Sequence, residues 1–234
     1  FRRVLFRSVC IGAEPHSEEQ RKRIEQLLGV KAYNCFGMSE MNGPGVAFEC
    51  TEQNGLHIWE DNVIVEIVDP VTLQPVPEGE VGELVLTTIN REAMPLLRYR
   101  TRDLTCILPG DCPCGRTHKR LARFKGRSDD MIILKGVNLF PIQIEKILMQ
   151  FKELGSNYLI TLETIGNSDE MLIEVELSDL FTDDYSALQR LTKGITRQLK
   201  DELLLTPRIK LVAKGSLPTT DGKAVRVKDH RKLC

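Results

Sequence analysis

The sequence predicts an α/β segment followed by a smaller α+β domain, and three observations lead there. A strand, a turn and an amphipathic helix succeed one another near the start, in "IGAEPHSEEQRKRIEQLLGV". Alternating apolar runs separated by glycine and proline turns fill the middle. Beyond Arg123 the periodicities restart after a short charged, glycine-containing stretch, "KGRSDDM". At 234 residues the chain can bury a substantial core, as one large domain or two smaller ones.

In the opening unit Ser17 and Gln20 form a capping-box pattern, Ile24, Leu27 and Leu28 share one helix face, and Gly29 stands where a helix would stop. Val30 to Phe36 reads as the next strand, followed by the glycine-rich loop "GMSEMNGPG". "NVIVEIVDP" alternates, "VPEGEVGE" is a turn cluster and "LVLTT" is a strand, so hairpins of a β-rich subdomain are expected. Past the composition change, "PIQIEKILMQF" starts a helix at Pro141 with Ile144, Ile147, Leu148 and Phe151 on one stripe. "YLITLET" and "EMLIEVEL" alternate as strands. A longer helix over 183–204 turns Leu188, Leu191, Ile195 and Leu199 inward, and "RIKLVAKG" is a final strand. Residues 1–126, a linker over 127–130 and a domain over 131–234 follow from this order. Close to the end, "SLPTTDGKAVR" is a polar loop in which Pro218 and Gly222 mark a turn carrying Lys223.

Lys and Arg number 32 against 33 Asp and Glu, a balance that provides no electrostatic footprint for nucleic acid or for an anionic membrane. No apolar run approaches a bilayer span. Seven cysteines, an odd number without the regular spacing of a disulfide scaffold, point to a reducing, cytoplasmic setting. The chain opens on Phe1 and runs directly into strand-like sequence, which reads as the C-terminal part of a longer protein.

Four short stretches occur in one order: "GAEP" at 12–15, "FGMSE" at 36–40, "YRTRD" at 99–103 with "GRSDD" at 126–130, and the terminal "TTDGK". Each alone is weak; in this order the chain resembles the adenylate-forming enzymes, the superfamily of acyl-CoA synthetases and peptide-synthetase adenylation domains. Within it, "GMSEMNGPGVAFEC", "GLHIWED", "AMPLLRYRTRDLT", "CPCGRTH" and "GRSDDMIILKGVNLFP" resemble the phenylacetate-CoA ligase family. The likeness begins near residue 9. It implies the C-terminal part of the large adenylate-forming domain, with its β-rich subdomain, followed by a small mobile α+β domain.

The resemblance also implies chemistry. ATP and an aryl acid would give an acyl-adenylate, and coenzyme A would then take the acyl group as a thioester, releasing AMP. An anion must approach an anion in the first step, so cations and a metal are needed. Glu40 is implied as a hard ligand for Mg2+, Ser39 as a donor to a phosphate oxygen, and Phe36, where the family usually has Tyr, as a face for adenine. Gly12, Ala13, Glu14, Pro15, Gly37 and Met38 complete the nucleotide loops, and the wall of the acid pocket would come from Gly37, Met38, Gly43, Pro44 and Gly45. Asp103 would accept from the ribose hydroxyls, with a salt bridge to Arg100 or Arg102 as its alternative. Arg127 would meet ribose or phosphate, and a planar guanidinium suits that role. Lys223 would be swung onto the α-phosphate and the substrate carboxylate. Asp129 is implied as the hinge of a rotation that removes Lys223 and turns the loop "KGVNLFP" toward the thiol. The family's Ser/Thr/Gly-rich phosphate loop is absent from these residues, so the chain by itself is expected to be inactive. A homodimer is compatible with this reading.

Cys112 and Cys114 in "CPCG", with Cys50 and His57, form a plausible tetrahedral zinc set, with His118 as rival fourth ligand and reduced, unligated cysteines as the alternative. Cys10, Cys35, Cys106 and Cys234 read as small apolar fillers or surface residues. Two other functions compete: a related ligase that transfers AMP to a deazaflavin-type acceptor, and a zinc-stabilised nucleotide-binding module without turnover.

Overall fold

A computed structural model describes residues 6–41, 45–166, 168–179, 185–218 and 224–231. The chain divides into a first unit that ends at Asp130 and a second that begins at Met131 and also takes in His16–Gln20. In chain order the residues up to Asp130 form β1 (Ser8–Ile11), α1 (Glu18–Leu28, of which the part from Arg21 belongs to the first unit), β2 (Lys31–Phe36), β3 (Ala47–Glu49), β4 (Leu56–Ile58), β5 (Val63–Val68), β6 (Gly82–Thr88), β7 (Tyr99–Thr105), β8 (Ile107–Leu108), β9 (Arg120–Leu121) and β10 (Gly126–Arg127). The second holds β11 (Ile132–Leu134), β12 (Val137–Leu139), α2 (Pro141–Leu148), β13 (Leu154–Ile165), β14 (Ser168–Leu177), α3 (Tyr185–Leu203), β15 (Arg208–Val212) and β16 (Val227–Asp229). Among the described residues no helix is long and apolar enough to cross a membrane.

Two sheets build the first unit, one ordered β1-β2-β3-β4-β9-β8 and the other β10-β7-β6-β5. Among the described residues of this unit only β1 and β2 pair in parallel; the other described pairs are antiparallel, as the alternating runs and turn clusters require. Leu56, Ile58, Leu84, Leu86 and Leu121 are the fully buried side chains at the centre of its core. The Ser17 cap forms, since the Gln20 N–H donates to Ser17 Oγ at 3.2 Å. The apolar face of α1 behaves otherwise: Leu27 and Leu28 are exposed, and the buried residue of the helix is Arg21. The helix is fastened through charge instead. Glu25 Oε1 accepts from Arg21 Nη1 at 3.0 Å, from the Ala32 N–H at 2.9 Å and from Gln53 Nε2 at 3.0 Å, satisfying a strand amide that no leucine could.

In the second unit the sheet runs β15-β14-β13-β16, with a central antiparallel pair and both outer strands parallel to their neighbours. Ile144, Ile147 and Leu148 of α2 and Leu191, Ile195 and Leu199 of α3 pack on it, while Leu188 is only half-buried. Pro141 opens α2, and the Phe140 N–H donates to Gln143 Oε1 at 2.8 Å. The stretch "KGVNLFP" is no open loop. Lys135 and Gly136, with φ of 50° and 80°, form the two-residue turn of the β11–β12 hairpin, in which Leu134 faces Val137. Positive φ at both positions is what a hairpin turn of matching twist demands.

The best-buried charge of the first unit is Glu83, whose side chain is fully enclosed. Arg100 grips it with two bonds, Nε to Oε1 at 2.8 Å and Nη2 to Oε2 at 2.7 Å, and Arg102 Nη1 approaches to 3.8 Å. Burial pushes this carboxyl up, but the hydrogen bonds and charge of Arg100, with the charge of Arg102, outweigh it and hold it below the ordinary range. Its folded pKa is therefore depressed, so its contribution is complete above the unfolded value of about 4.3 and fades as pH falls through the folded value. Glu83→Gln should cost about 2–4 kcal/mol near neutral pH by leaving the arginines without their counter-charge. Urea midpoints compared from neutral to acid pH check this: the gap between wild type and variant should narrow below about pH 4.

Candidate functional site

Because β1 and β2 run in parallel, the loops that follow them leave from one sheet edge, beyond Ile11 and Phe36. Open α/β sheets place ligands at such carboxyl ends. Gly12 is required by contact, since a Cβ there would lie 2.6 Å from both the carbonyl oxygen and the Sγ of Cys35. Ala13 follows with φ of 69°, an uncommon conformation for a residue with a side chain. These two positions bring Glu14 and Pro15 around the end of β1. On the neighbouring strand, Gly37 and Met38 lead into one 3-10 turn over Ser39–Met41. Met41 is buried and Met38 packs on the same core, which leaves Ser39 and Glu40 exposed. Arg91, which sequence reasoning did not single out, donates to the Glu40 carbonyl oxygen and to that of Ala93. Phe36 carries Phe124 against its ring, with centroids 4.4 Å apart. Gly43 and Pro44 lie outside the described residues.

A second group forms on the other sheet. The pairing of β6 with β7 is irregular between Glu83 and Val85, and opposite it Arg102 adopts a φ of 68°. Such an irregularity re-aims the side chains that follow, and the one that follows is Asp103. Asp103 stands opposite Arg127 across the β7–β10 pair, with Arg127 Nη1 at 3.8 Å from Asp103 Oδ1. Arg100 forks onto Glu83, and Arg102 Nη1 lies 3.8 Å from the same carboxylate. Arg127 also forks onto Asp129, Nε to Oδ1 at 2.9 Å and Nη2 to Oδ2 at 2.8 Å, and donates to the Thr101 carbonyl at 3.2 Å. These bonds hold the Asp129 carboxyl below its usual range. Ser128 between them reaches Glu83 Oε2 at 3.5 Å.

Lys223 lies outside the described residues, but both flanks of its loop are anchored within the second unit. On one side the Leu217 N–H donates to Glu176 Oε1 at 2.9 Å. On the other, Arg226 donates from Nη1 to Asn157 Oδ1 at 3.0 Å and lies 4.6 Å from the centroid of the Tyr158 ring. Asn157 Nδ2 closes the circuit by donating to Glu176 Oε1 at 3.1 Å. The Ile160 N–H then donates to the Arg226 carbonyl at 2.9 Å, which ties the returning strand to β13. Asn157 and Glu176 went unnoticed in the sequence, since each is one of several polar residues on its alternating strand and nothing local marks it out.

The sulfur residues also converge. Cys50 follows β3, His57 lies in β4 opposite Phe48 and Arg120, and Cys112 and Cys114 come from the segment between β8 and β9. Their four ligand atoms lie within 4.8 Å of one another. Cys50 Sγ is 3.7 Å from Cys112 Sγ, and Cys114 Sγ is 3.4 Å from His57 Nε2. His118, the rival ligand, is exposed and stands apart from this set. The Arg116 backbone N–H, the largest influence, brings the Cys114 thiol down to about 7, whereas burial pushes Cys50 up and lowers His57, keeping its imidazole neutral. Cys10 is exposed, Cys35 half-buried and Cys106 buried; Cys234 falls outside the described residues.

Residues 2–90 match the family described as AMP-binding enzyme, and residues 136–231 match the AMP-binding enzyme C-terminal domain. The chain belongs to the AMP-binding, adenylate-forming enzymes. Over 95% of its length it is 43% identical to the phenylacetate-coenzyme A ligase of Thermus thermophilus, and over 97% it is 44% identical to that of Pseudomonas putida. It spans 53% and 52% of those two proteins, about half the length of the curated relatives it matches. Among solved structures, 2-hydroxyisobutyryl-CoA ligase in the postadenylation state, in complex with R3-HIB-AMP, superposes with a TM-score of 0.85 at 31% identity, over 94% of this chain and 48% of that one. The resemblance read from the motifs thus holds at the level of family and fold.

The anchoring of the Lys223 loop is open to a direct check. Arg226→Ala removes a charge-assisted hydrogen bond and a cation–π contact, together about 1–2 kcal/mol of local stability. Amide exchange over 224–229 should accelerate about tenfold, with the amides of the β14–β15 pair unchanged.

Proposed function

We propose that this chain is the C-terminal portion of an AMP-forming acid–thiol ligase of the phenylacetate-CoA ligase type. One observation carries the reading above all: the parallel β1–β2 pair sends Gly12–Pro15 and Gly37–Glu40 from the same sheet edge, with the Phe36 ring at its base. The identity to phenylacetate-coenzyme A ligases along nearly the whole chain supports the substrate class.

In the first step a carboxylate oxygen of the acid attacks the α-phosphorus of ATP, forming the acyl-adenylate as pyrophosphate leaves. Phe36 stacks on adenine, Ser39 donates to a phosphate oxygen, and Asp103 accepts from the ribose hydroxyls while Arg127 stays within its reach. Glu40 would hold Mg2+, whose charge offsets that of the phosphates. Lys223 supplies a positive charge where negative charge gathers at phosphorus. In the second step the sulfur of coenzyme A attacks the acyl carbon and AMP leaves with the bonding electrons. Asp129, gripped by Arg127, serves as the hinge between the two steps, and release of that grip would accompany the change. Free thiols throughout the described residues accord with a reducing, cytoplasmic setting.

Two substitutions in the full-length protein separate these roles. Lys223→Ala should slow acid-dependent exchange of pyrophosphate into ATP by about 100-fold or more, while thioester formation from supplied acyl-adenylate stays near the wild-type rate. Equal losses in both steps contradict the assignment of Lys223. Asp129→Pro should reverse the pattern, with thioester formation impaired and exchange largely kept; an unaltered thioester rate removes Asp129 as the hinge.

A further inference from the structure

We propose that Cys50, His57, Cys112 and Cys114 bind one structural Zn2+ that clasps the segment between β8 and β9 to the β3–β4 hairpin. Zinc with sulfur at about 2.3 Å and nitrogen at about 2.0 Å in a tetrahedron sets the ligands about 3.8 Å apart for sulfur pairs and about 3.5 Å for sulfur and nitrogen. The observed Cys50–Cys112 and Cys114–His57 separations are 3.7 Å and 3.4 Å. A disulfide needs about 2.05 Å between sulfurs, so the Cys50–Cys112 pair is at coordination distance and not at bonding distance.

The surroundings point the same way. The clasped segment, "PGDCPCGRTHK", has no large aliphatic or aromatic side chain with which to hold itself down, yet it buries Cys112 at 5% exposure. Arg120 fixes its start, donating to the carbonyls of Gly110, Asp111 and Asn54 at 3.0, 3.3 and 2.9 Å. Around the sulfurs the backbone is arranged as thiolates require: the Glu52 N–H is directed at Cys50 and the Arg116 N–H at Cys114, each two residues beyond its cysteine. Such amides stabilise negative sulfur. Three thiolates and a neutral imidazole on Zn2+ leave one net negative charge, and Arg116 Nη1 lies 3.6 Å from Cys114 Sγ to balance it. With Nε2 turned to Cys114 Sγ at 3.4 Å, the ring proton falls to Nδ1. Four protein ligands close the coordination shell, so this metal stabilises the fold and opens no position to substrate.

The test is metal analysis of the purified full-length protein, and it needs no enzymatic turnover. Grown with zinc, iron, nickel and cobalt all supplied, the protein should carry one zinc per chain, and its zinc absorption edge should report three sulfurs and one nitrogen. Cys114→Ser should lose the metal on dialysis against a chelator, whereas Cys106→Ser, which removes a buried thiol outside the cluster, should keep it. Chelation of the wild type should lower its melting temperature and expose three thiols to a colorimetric reagent. Protein without zinc in stoichiometric amount, a different metal, retention of zinc by Cys114→Ser, or a spectrum with another ligand set each overturns the proposal. None of these outcomes depends on which acid the protein activates.

Discussion

The buried carboxylate of Glu83 is the constraint on which the first unit turns. It occupies the buried part of β6 beside Leu84, Val85 and Leu86, and it is tolerable there only because Arg100 and Arg102 deliver their charges from the neighbouring strand. To bring both arginines to the same acid, β7 gives up regular pairing and Arg102 takes a left-handed backbone conformation. The departure sets Asp103 across from Arg127, and Ser128 of the following segment comes back to Glu83. The buried ion pair and the Asp103–Arg127 pair thus share a single distortion. Relaxing the bulge to save backbone strain would move Asp103 away from Arg127.

The second unit repeats the device. Glu176 and Asn157 sit on the two central strands, and between them they tie down both flanks of the loop that bears Lys223. In each unit a carboxylate rooted in a sheet fastens a neighbouring polar, glycine-containing segment: Ser128 reaches Glu83 and the Leu217 N–H donates to Glu176. Rigid roots preserve geometry within each unit, and the charge pair between Arg127 and Asp129 lies where the units join in sequence.

Elements with a strong period were legible from the sequence. The stripes of α2 and α3 and the alternating β13 and β14 follow from apolar spacing alone. So did the order of the four motifs, which needs no tertiary knowledge. What escaped was long-range. Glu83 and Arg100 are 17 residues apart and meet only through strand register, so no local pattern marks them as partners. Leu27 and Leu28 have the spacing of a buried face, yet the helix is fastened by Glu25 through a strand amide that a hydropathy reading cannot see. The turn at Lys135–Gly136 reads as a loop because lysine seldom takes positive φ, and it does so here under the demand of a two-residue hairpin. β16 is too short to show a period. The sulfur cluster lies between these cases: the residue types were visible, but the choice of His57 over His118 depends on the pairing of β4 with β3 and β9.

The central claim is that loops at the β1–β2 edge hold a nucleotide whose α-phosphorus is joined to an organic acid, which then passes to a thiol. The most direct measurement follows AMP released by the full-length protein supplied with ATP, Mg2+ and an arylacetic acid, with and without coenzyme A. The account expects pyrophosphate exchange that needs the acid but not coenzyme A, and sustained AMP release only once coenzyme A is added. Absence of acid-dependent exchange, or AMP turnover indifferent to the thiol, would contradict it.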